Sequence, residues 1–304
     1  MADTTIGRYE IKRELGRGGM AIAYLANDPY MKRDVVVKVM AGKVLSDPEF
    51  HDRFEREAQV IAGLEHPCVV PVYDFGYHED QPFFVMRHMS GGTLGEWIVR
   101  DGQMALGSVT SVIERIASAL DTVHQKGLVH RDLKPGNVLL DQNGDSFLAD
   151  FGLIKLMGTT GNLSGQYILG TPAYMSPEMI YGKQDIDHRA DIYALGIVLY
   201  EMLTGHTPYH DTEPQRLMMA HVMEPIPLIL DERSDLAPAI GSVINDSLAK
   251  EPAERYQTAG ELAAALIAAS RGIPSRRARR RMTTDQIDSV LDSLENKSKD
   301  KKKS

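Results

Sequence analysis

The run His130-Arg131-Asp132-Leu133-Lys134-Pro135-Gly136-Asn137 is followed, a short apolar stretch later, by Asp150-Phe151-Gly152. It sets a carboxylate, a lysine, an amide and a second carboxylate on two neighbouring loops. Phosphoryl transfer from a magnesium nucleotide needs that set: one group orients a hydroxyl, one neutralises phosphate charge and two hold metal. Hard oxygen donors suit Mg²⁺, which keeps waters and substrate phosphates in its shell.

Further groups must be brought to those loops by regular elements. Leu15-Gly16-Arg17-Gly18-Gly19-Met20-Ala21 lies between predicted strands Tyr9 to Leu15 and Ile22 to Ala26. Its glycines would let backbone N–H groups approach phosphate oxygens, although a plain hairpin turn accounts for the same residues. Lys38 ends the run Val35-Val36-Val37-Lys38 in a third strand, Asp34 to Met40. A lysine in an apolar strand is expensive to bury unless paired. Its expected partner is Glu57, on a helix that starts near Asp47-Pro48 and runs towards Leu64. Val69 to Tyr73 and Phe83 to Met89 read as two more strands.

Beyond Ser90-Gly91-Gly92 the period turns helical. Val109 to Lys126 puts Val112, Ile113, Ile116, Ala119, Leu120 and Val123 on one face. Ala190 to Leu203, Glu213 to Val222, Leu236 to Leu248 and Thr258 to Ser270 read as further helices. The pattern predicts an α+β chain with two lobes. The small lobe (1–89) is a sheet with one key helix, and the larger one (90–272) is mainly helical. A cleft between such lobes is a usual place for a ligand. Residues 273–304 read as a basic, partly amphipathic tail with Arg276-Arg277-Ala278-Arg279-Arg280-Arg281 near its start.

Composition narrows the classes. The 304 residues are 43% hydrophobic and 25% charged, as in ordinary globular domains. Cys68 is the single cysteine, so no intramolecular disulfide can form; a reducing cytoplasm is the expected setting. No apolar run reaches the roughly 18 residues that span a bilayer. Ten Lys/Arg against five Asp/Glu from Ser275 onward leave +5 there, so the formal net of −8 puts −13 on residues 1–274. An acidic body argues against nucleic acid as a partner. The tail reads as a solvated linker, with weak contact to anionic membrane as the sharper alternative.

The order and spacing of these motifs resemble a eukaryotic-like serine/threonine protein kinase of the bacterial branch, over roughly Tyr9 to Ser270. The resemblance implies a bilobal protein-kinase-like fold whose small lobe is an antiparallel sheet. It implies ATP and Mg²⁺ as cofactors, with Mn²⁺ able to substitute. Carried over residue by residue, Asp132 orients the substrate hydroxyl and Lys134 neutralises the transferring group. Asn137 and Asp150 ligate metal, and Lys38, seated by Glu57, binds phosphate. Leu15, Gly16, Arg17, Gly18, Gly19, Met20 and Ala21 cover the nucleotide. Ala23 and Val36 form its roof, Leu139 its floor, and Arg87 and Met89 its hinge, with Met86 just before.

Ala21 holds the third glycine position of the family loop, at little cost where φ is negative. Ala23 and Val36 exchange the family's usual large and small residues, a volume-conserving swap. Gly170-Thr171-Pro172-Ala173-Tyr174-Met175-Ser176-Pro177-Glu178 resembles the segment that seats a peptide substrate. There Glu178 pairs with Arg255, and Asp191 matches the aspartate that holds the catalytic loop. Small-molecule phosphotransferases generally lack that segment, and Lys134 with Thr171 is similar to the serine/threonine class. Protein Ser/Thr hydroxyls are therefore the expected acceptors.

Arg131 marks relatives switched by activation-loop phosphorylation. With Arg53 and Lys155 it would receive a phosphate on Ser164, or on Thr159 or Thr160. Dimerisation through the small lobe is an implication of family analogy alone. A pseudokinase is the rival reading, opposed by the presence of Lys38, Glu57, Asp132, Lys134, Asn137 and Asp150 together.

Overall fold

The computed structural model describes residues 5–18, 21–40, 50–151 and 171–273, with side chains in 50–53 excepted. Outside that description lie Gly19, Met20, Asp47, Pro48, Gly152, Lys155, Thr159, Thr160, Ser164, Gly170, the Arg53 side chain and residues 274–304. Strands β1 (Thr5–Ile6), β2 (Tyr9–Arg17), β3 (Ala21–Asp28), β4 (Arg33–Met40), β5 (Val72–His78) and β6 (Gln81–Arg87) form one antiparallel sheet. Its order is β1-β2-β3-β4-β6-β5. Period-two alternation dictates this outcome: Val35, Val37 and Val39 turn to one buried face, and Val36 and Lys38 to the other. A two-residue turn, Glu79-Asp80, joins β5 to β6 with φ of 50° and 62°, the handedness that matches strand twist.

Helix α1 (Phe50–Ala62) packs on that sheet through Phe54, with Ala58 and Ile61 also buried. Phe54 is fully buried and meets Phe84 at 5.0 Å, Tyr77 at 5.5 Å and Phe75 at 6.3 Å between ring centroids. Glu57 follows one turn later and is half-buried.

The strand expected at Val69 to Tyr73 begins three residues later. Val69 and Val70 pair instead with the larger lobe: Val70 N donates to Leu148 O (2.9 Å) and Leu148 N to Cys68 O (2.8 Å). Pro71 has no N–H to give, and its carbonyl accepts from Arg87 N (3.0 Å), so the chain changes sheets there. This crossover ties the lobes together. Cys68 is buried within it and carries a free thiol.

The larger lobe contains α2 (Leu94–Asp101), α3 (Leu106–Gln125), the hairpin β7 (Val138–Leu140)–β8 (Ser146–Leu148), α4 (Pro177–Ile180), α5 (Arg189–Thr204), α6 (Pro214–Met223), α7 (Ile229–Glu232), α8 (Pro238–Ser247) and α9 (Ala259–Ser270). The face predicted for α3 is its buried one. Nearly every residue of α5 is buried, so it is the pillar on which α3, α8 and α9 pack. Gly205, at φ 88°, ends it. Gly91 is needed for packing: a Cβ there would overlap the carbonyls of Asp141 and Leu140. Among the described residues no helix is long and apolar enough to cross a membrane.

Because Phe54 is fully buried and packs on three rings of the sheet, Phe54→Ala is expected to destabilise the protein by about 3–5 kcal/mol. Denaturant unfolding measures it.

Candidate active site

The loop after α3 is suspended from α5. Asp191, in the first turn of α5, is 1% exposed. Its Oδ2 accepts from His130 N (2.7 Å) and lies 2.7 Å from His124 Nε2; its Oδ1 accepts from Arg131 N (2.8 Å). Burial alone would raise this carboxyl. His124, by hydrogen bond and charge, with His130 and the Arg131 N–H behind it, holds the group below the usual carboxylate range. Its contribution to stability is complete above the ordinary carboxylate pKa and is lost as pH falls through the depressed value. These bonds hold Arg131 at φ 65°, a left-handed conformation costly for any residue with a Cβ.

Held this way, the loop presents its functional groups on one side. Lys134 Nζ donates to Asp132 Oδ2 (2.8 Å) and to Thr171 Oγ1 (3.0 Å). Asn137 Nδ2 donates to Asp132 O (2.7 Å) and Oδ2 (3.0 Å), which turns the amide oxygen away from Asp132. Asn137 sits in the 3₁₀ turn Pro135–Asn137 and its carbonyl accepts from Ala149 N (2.9 Å), which brings Asp150 alongside. His130 completes the brace. Its Nδ1 accepts from Asp132 N (3.2 Å), so Nε2 carries the proton and donates to Ala149 O (2.8 Å), while its ring lies 5.3 Å from that of Phe151.

Asp150 is also left-handed, at φ 62°. The ion pair described for Lys38 is to this residue, Nζ to Oδ2 at 2.8 Å. Burial pushes the Asp150 carboxyl up, but the Lys38 ammonium, with His130 and Lys134 beyond it, holds it below the ordinary range. The partner expected for Lys38 from sequence was Glu57. The fold brings Lys38 to the metal-ligand candidate across the cleft.

Above the site, Ala23 faces Lys38 across β3 and β4, and Val36 lies two residues before Lys38 on the same face. The two exchanged residues are thus diagonal neighbours, as a compensated swap requires. Ala21 has no positive φ and its methyl joins the core, so the missing glycine brings no strain. Leu15, Gly16 and Arg17 are exposed, and Gly18 N donates to Ala21 O (2.9 Å). Leu139 pairs with Phe147 in the β7–β8 hairpin. Met86 and Met89 are buried, and the Arg87 guanidinium lies 5.5 Å from the Phe147 ring centroid.

On the substrate side, Arg255 is fully buried and donates through Nη1 and Nη2 to Glu178 Oε1 (2.6 Å) and Oε2 (2.7 Å). The same guanidinium donates to the carbonyls of Ala249, Arg189 and Lys250. Tyr174 Oη donates to Glu201 Oε2 (2.7 Å). Sequence reasoning missed His124, Glu201 and the inward role of His130, whose partners lie far along the chain. It also missed α2, although Thr93 and Glu96 form a capping box that the Thr-x-x-Glu spacing signals (3.0 and 2.8 Å). Glu178→Gln would leave the Arg255 charge buried and half-matched, so a loss of about 3–5 kcal/mol is expected by denaturant unfolding.

Residues 9–266 match the family model for the protein kinase domain. The serine/threonine-protein kinase PknB of Mycolicibacterium smegmatis is 40% identical over 272 residues, covering 87% of this chain and 43% of that protein. The serine/threonine-protein kinase PrkC of Bacillus subtilis is 36% identical over 258 residues, covering 85% and 40%. The chain thus spans less than half the length of these curated relatives. The crystal structure of the Mycobacterium tuberculosis PknI kinase domain superposes with a TM-score of 0.72 at 29% identity, covering 90% of this chain and 99% of that one. By sequence, fold and site, the chain belongs to the protein kinase family, in its bacterial serine/threonine branch.

Proposed function

We propose that this chain transfers the γ-phosphate of ATP to serine and threonine hydroxyls of proteins. The observation that carries the reading is the convergence of Asp132, Lys134 and Asn137 within hydrogen-bond reach, with Lys38 and Asp150 paired beside them. Asp132 accepts and orients the acceptor hydroxyl. Lys134, bridging Asp132 and Thr171, places a cation where negative charge develops. Lys38, seated by Glu57, holds the nucleotide phosphates beneath the loop from Leu15 to Ala21. Arg87 and Met89 bound the base, with Ala23, Val36 and Leu139 around it.

The Asn137 amide oxygen and the Asp150 carboxylate are hard donors and fit Mg²⁺, with Mn²⁺ as a substitute. Once bound, the metal supplies charge neutralisation at the phosphates. The depressed Asp150 pKa keeps its carboxylate charged and ready for a cation.

Activation-loop autophosphorylation fits one further observation. The Nε of Arg131 is buried and has no hydrogen-bond partner among the described residues. A phosphate on Ser164, Thr159 or Thr160 would give it one, with Arg53 and Lys155 as the companion cations. Small-lobe dimerisation and contact of the tail with anionic membrane remain parts of the reading that rest on the sequence.

Incubation with γ-labelled ATP and Mg²⁺, alone and with a generic basic protein, tests the proposal. Label on serine or threonine that falls at least about 100-fold in Asp132→Asn is expected. Nucleotide binding without label in the unaltered protein would overturn it in favour of a non-transferring relative. Mass spectrometry of the labelled chain maps the switch residue.

A further inference from the structure

Beneath the substrate-seating turn lies a buried polar cluster that the phosphate chemistry does not use. His221, near the end of α6, is fully buried. Its Nδ1 is 2.9 Å from Tyr193 Oη on the pillar helix α5. Lys250, after α8, donates to the His221 carbonyl (2.7 Å) and to Tyr209 Oη (2.9 Å), and its ammonium lies 4.6 Å from the Tyr209 ring centroid. Arg255, which clamps Glu178, stacks 4.9 Å from the Tyr193 ring and donates to the Lys250 carbonyl. A closed ring of contacts therefore joins α5, α6 and the loop after α8 to the Glu178 anchor.

One atom in this ring is unmatched. His221 Nε2 is buried without a hydrogen-bond partner. Burial, reinforced by the Lys250 charge, pushes the imidazole down to about 4, so it is neutral at pH 7. The tautomer that the latch uses has the Tyr193 hydroxyl donating to Nδ1 and the single proton on Nε2. The carbonyl of Ala173 raises the proton affinity of this ring, while Nε2 itself has no hydrogen-bond partner. Ala173 is the middle residue of the 3₁₀ turn Pro172–Tyr174, against which α6 lies. Lys250, brought to about 8 by burial, still carries its charge at pH 7 and clamps the backbone of α6 beside the ring.

We propose that His221 and Lys250 form a buried latch: Nε2–H of His221 closes on the Ala173 carbonyl as the turn Thr171–Tyr174 takes up a protein acceptor. Both act as positioning residues, through the turn, and neither touches nucleotide or the transferred group. The latch governs acceptor capture and leaves ATP affinity alone. Its kinetic consequence rests on the protein-kinase reading above; its structural consequence does not.

The test uses the full chain with His221→Leu, His221→Gln and Lys250→Met. A glutamine amide can place a donor near the Nε2 position; leucine cannot. Hydrogen exchange is read at the amides of Tyr174 and Met175, which close the turn on Thr171 O and Pro172 O. His221→Leu and Lys250→Met are expected to speed exchange there about tenfold, with His221→Gln restoring protection and α3 amides unchanged. In the same variants the KM for a protein acceptor is expected to rise about fivefold or more while the KM for ATP stays within about twofold. Unchanged exchange at Tyr174 and Met175 in both variants would overturn the latch, whether or not the protein transfers phosphate. So would a parallel rise in both KM values, which marks general loosening of the lobe. Should either variant melt far below the unaltered protein, Tyr193→Phe, which removes one hydroxyl, gives the same exchange readout.

Discussion

The Asp191 carboxylate receives two backbone N–H groups and a histidine nitrogen in a nearly dry site on the central helix. Water cannot compete for these bonds, so they hold their geometry against the left-handed strain at Arg131. From that point the catalytic loop is fixed link by link. His130 braces Ala149, Ala149 is bonded to Asn137, and Asn137 and Lys134 both reach Asp132. Removing the first link would leave every later one without a fixed origin.

The acidic body makes phosphate handling a local matter. Residues 1–274 carry a formal −13, so no broad positive field gathers nucleotide. In the proposed reading two lysines supply the positive charge, Lys38 on β4 and Lys134 on the loop after α3. Both sit against a carboxylate, and Asp150 is kept charged by Lys38 despite its burial. The crossover at Cys68 to Pro71 bonds to both of the lobes that carry these lysines.

Most of the scaffold was legible because its signals are local. Alternation in Val35 to Val39 and the 3.6-residue period in Val109 to Val123 each report the face a residue buries. The strand at Val69 was misplaced because Val69 and Val70 serve the β7–β8 hairpin, a partner about eighty residues away that local alternation cannot reveal. That Asp132, Lys134, Asn137 and Asp150 would converge was signalled by their fixed spacing on two loops. The Glu178–Arg255 pair was readable only through family resemblance, since 77 residues separate the partners. His221 and Lys250 carry no local motif at all; only the packing of α5, α6 and the loop after α8 brings them to Tyr193. For Lys38, sequence pointed to Glu57 on the following helix, whereas the fold sets Asp150 beside it from across the cleft.

The central claim is that the Asp191 carboxylate, by fixing the catalytic loop, makes the site competent. Asp191→Asn nearly preserves shape but replaces one acceptor oxygen with an N–H donor that faces the loop's own donors. The account predicts a kcat for phosphate transfer lower by about 100-fold, the effect of misplacing a reacting group by about 1 Å, with the KM for ATP within about twofold. A folded Asp191→Asn protein that transfers phosphate as fast as the unaltered chain would contradict it.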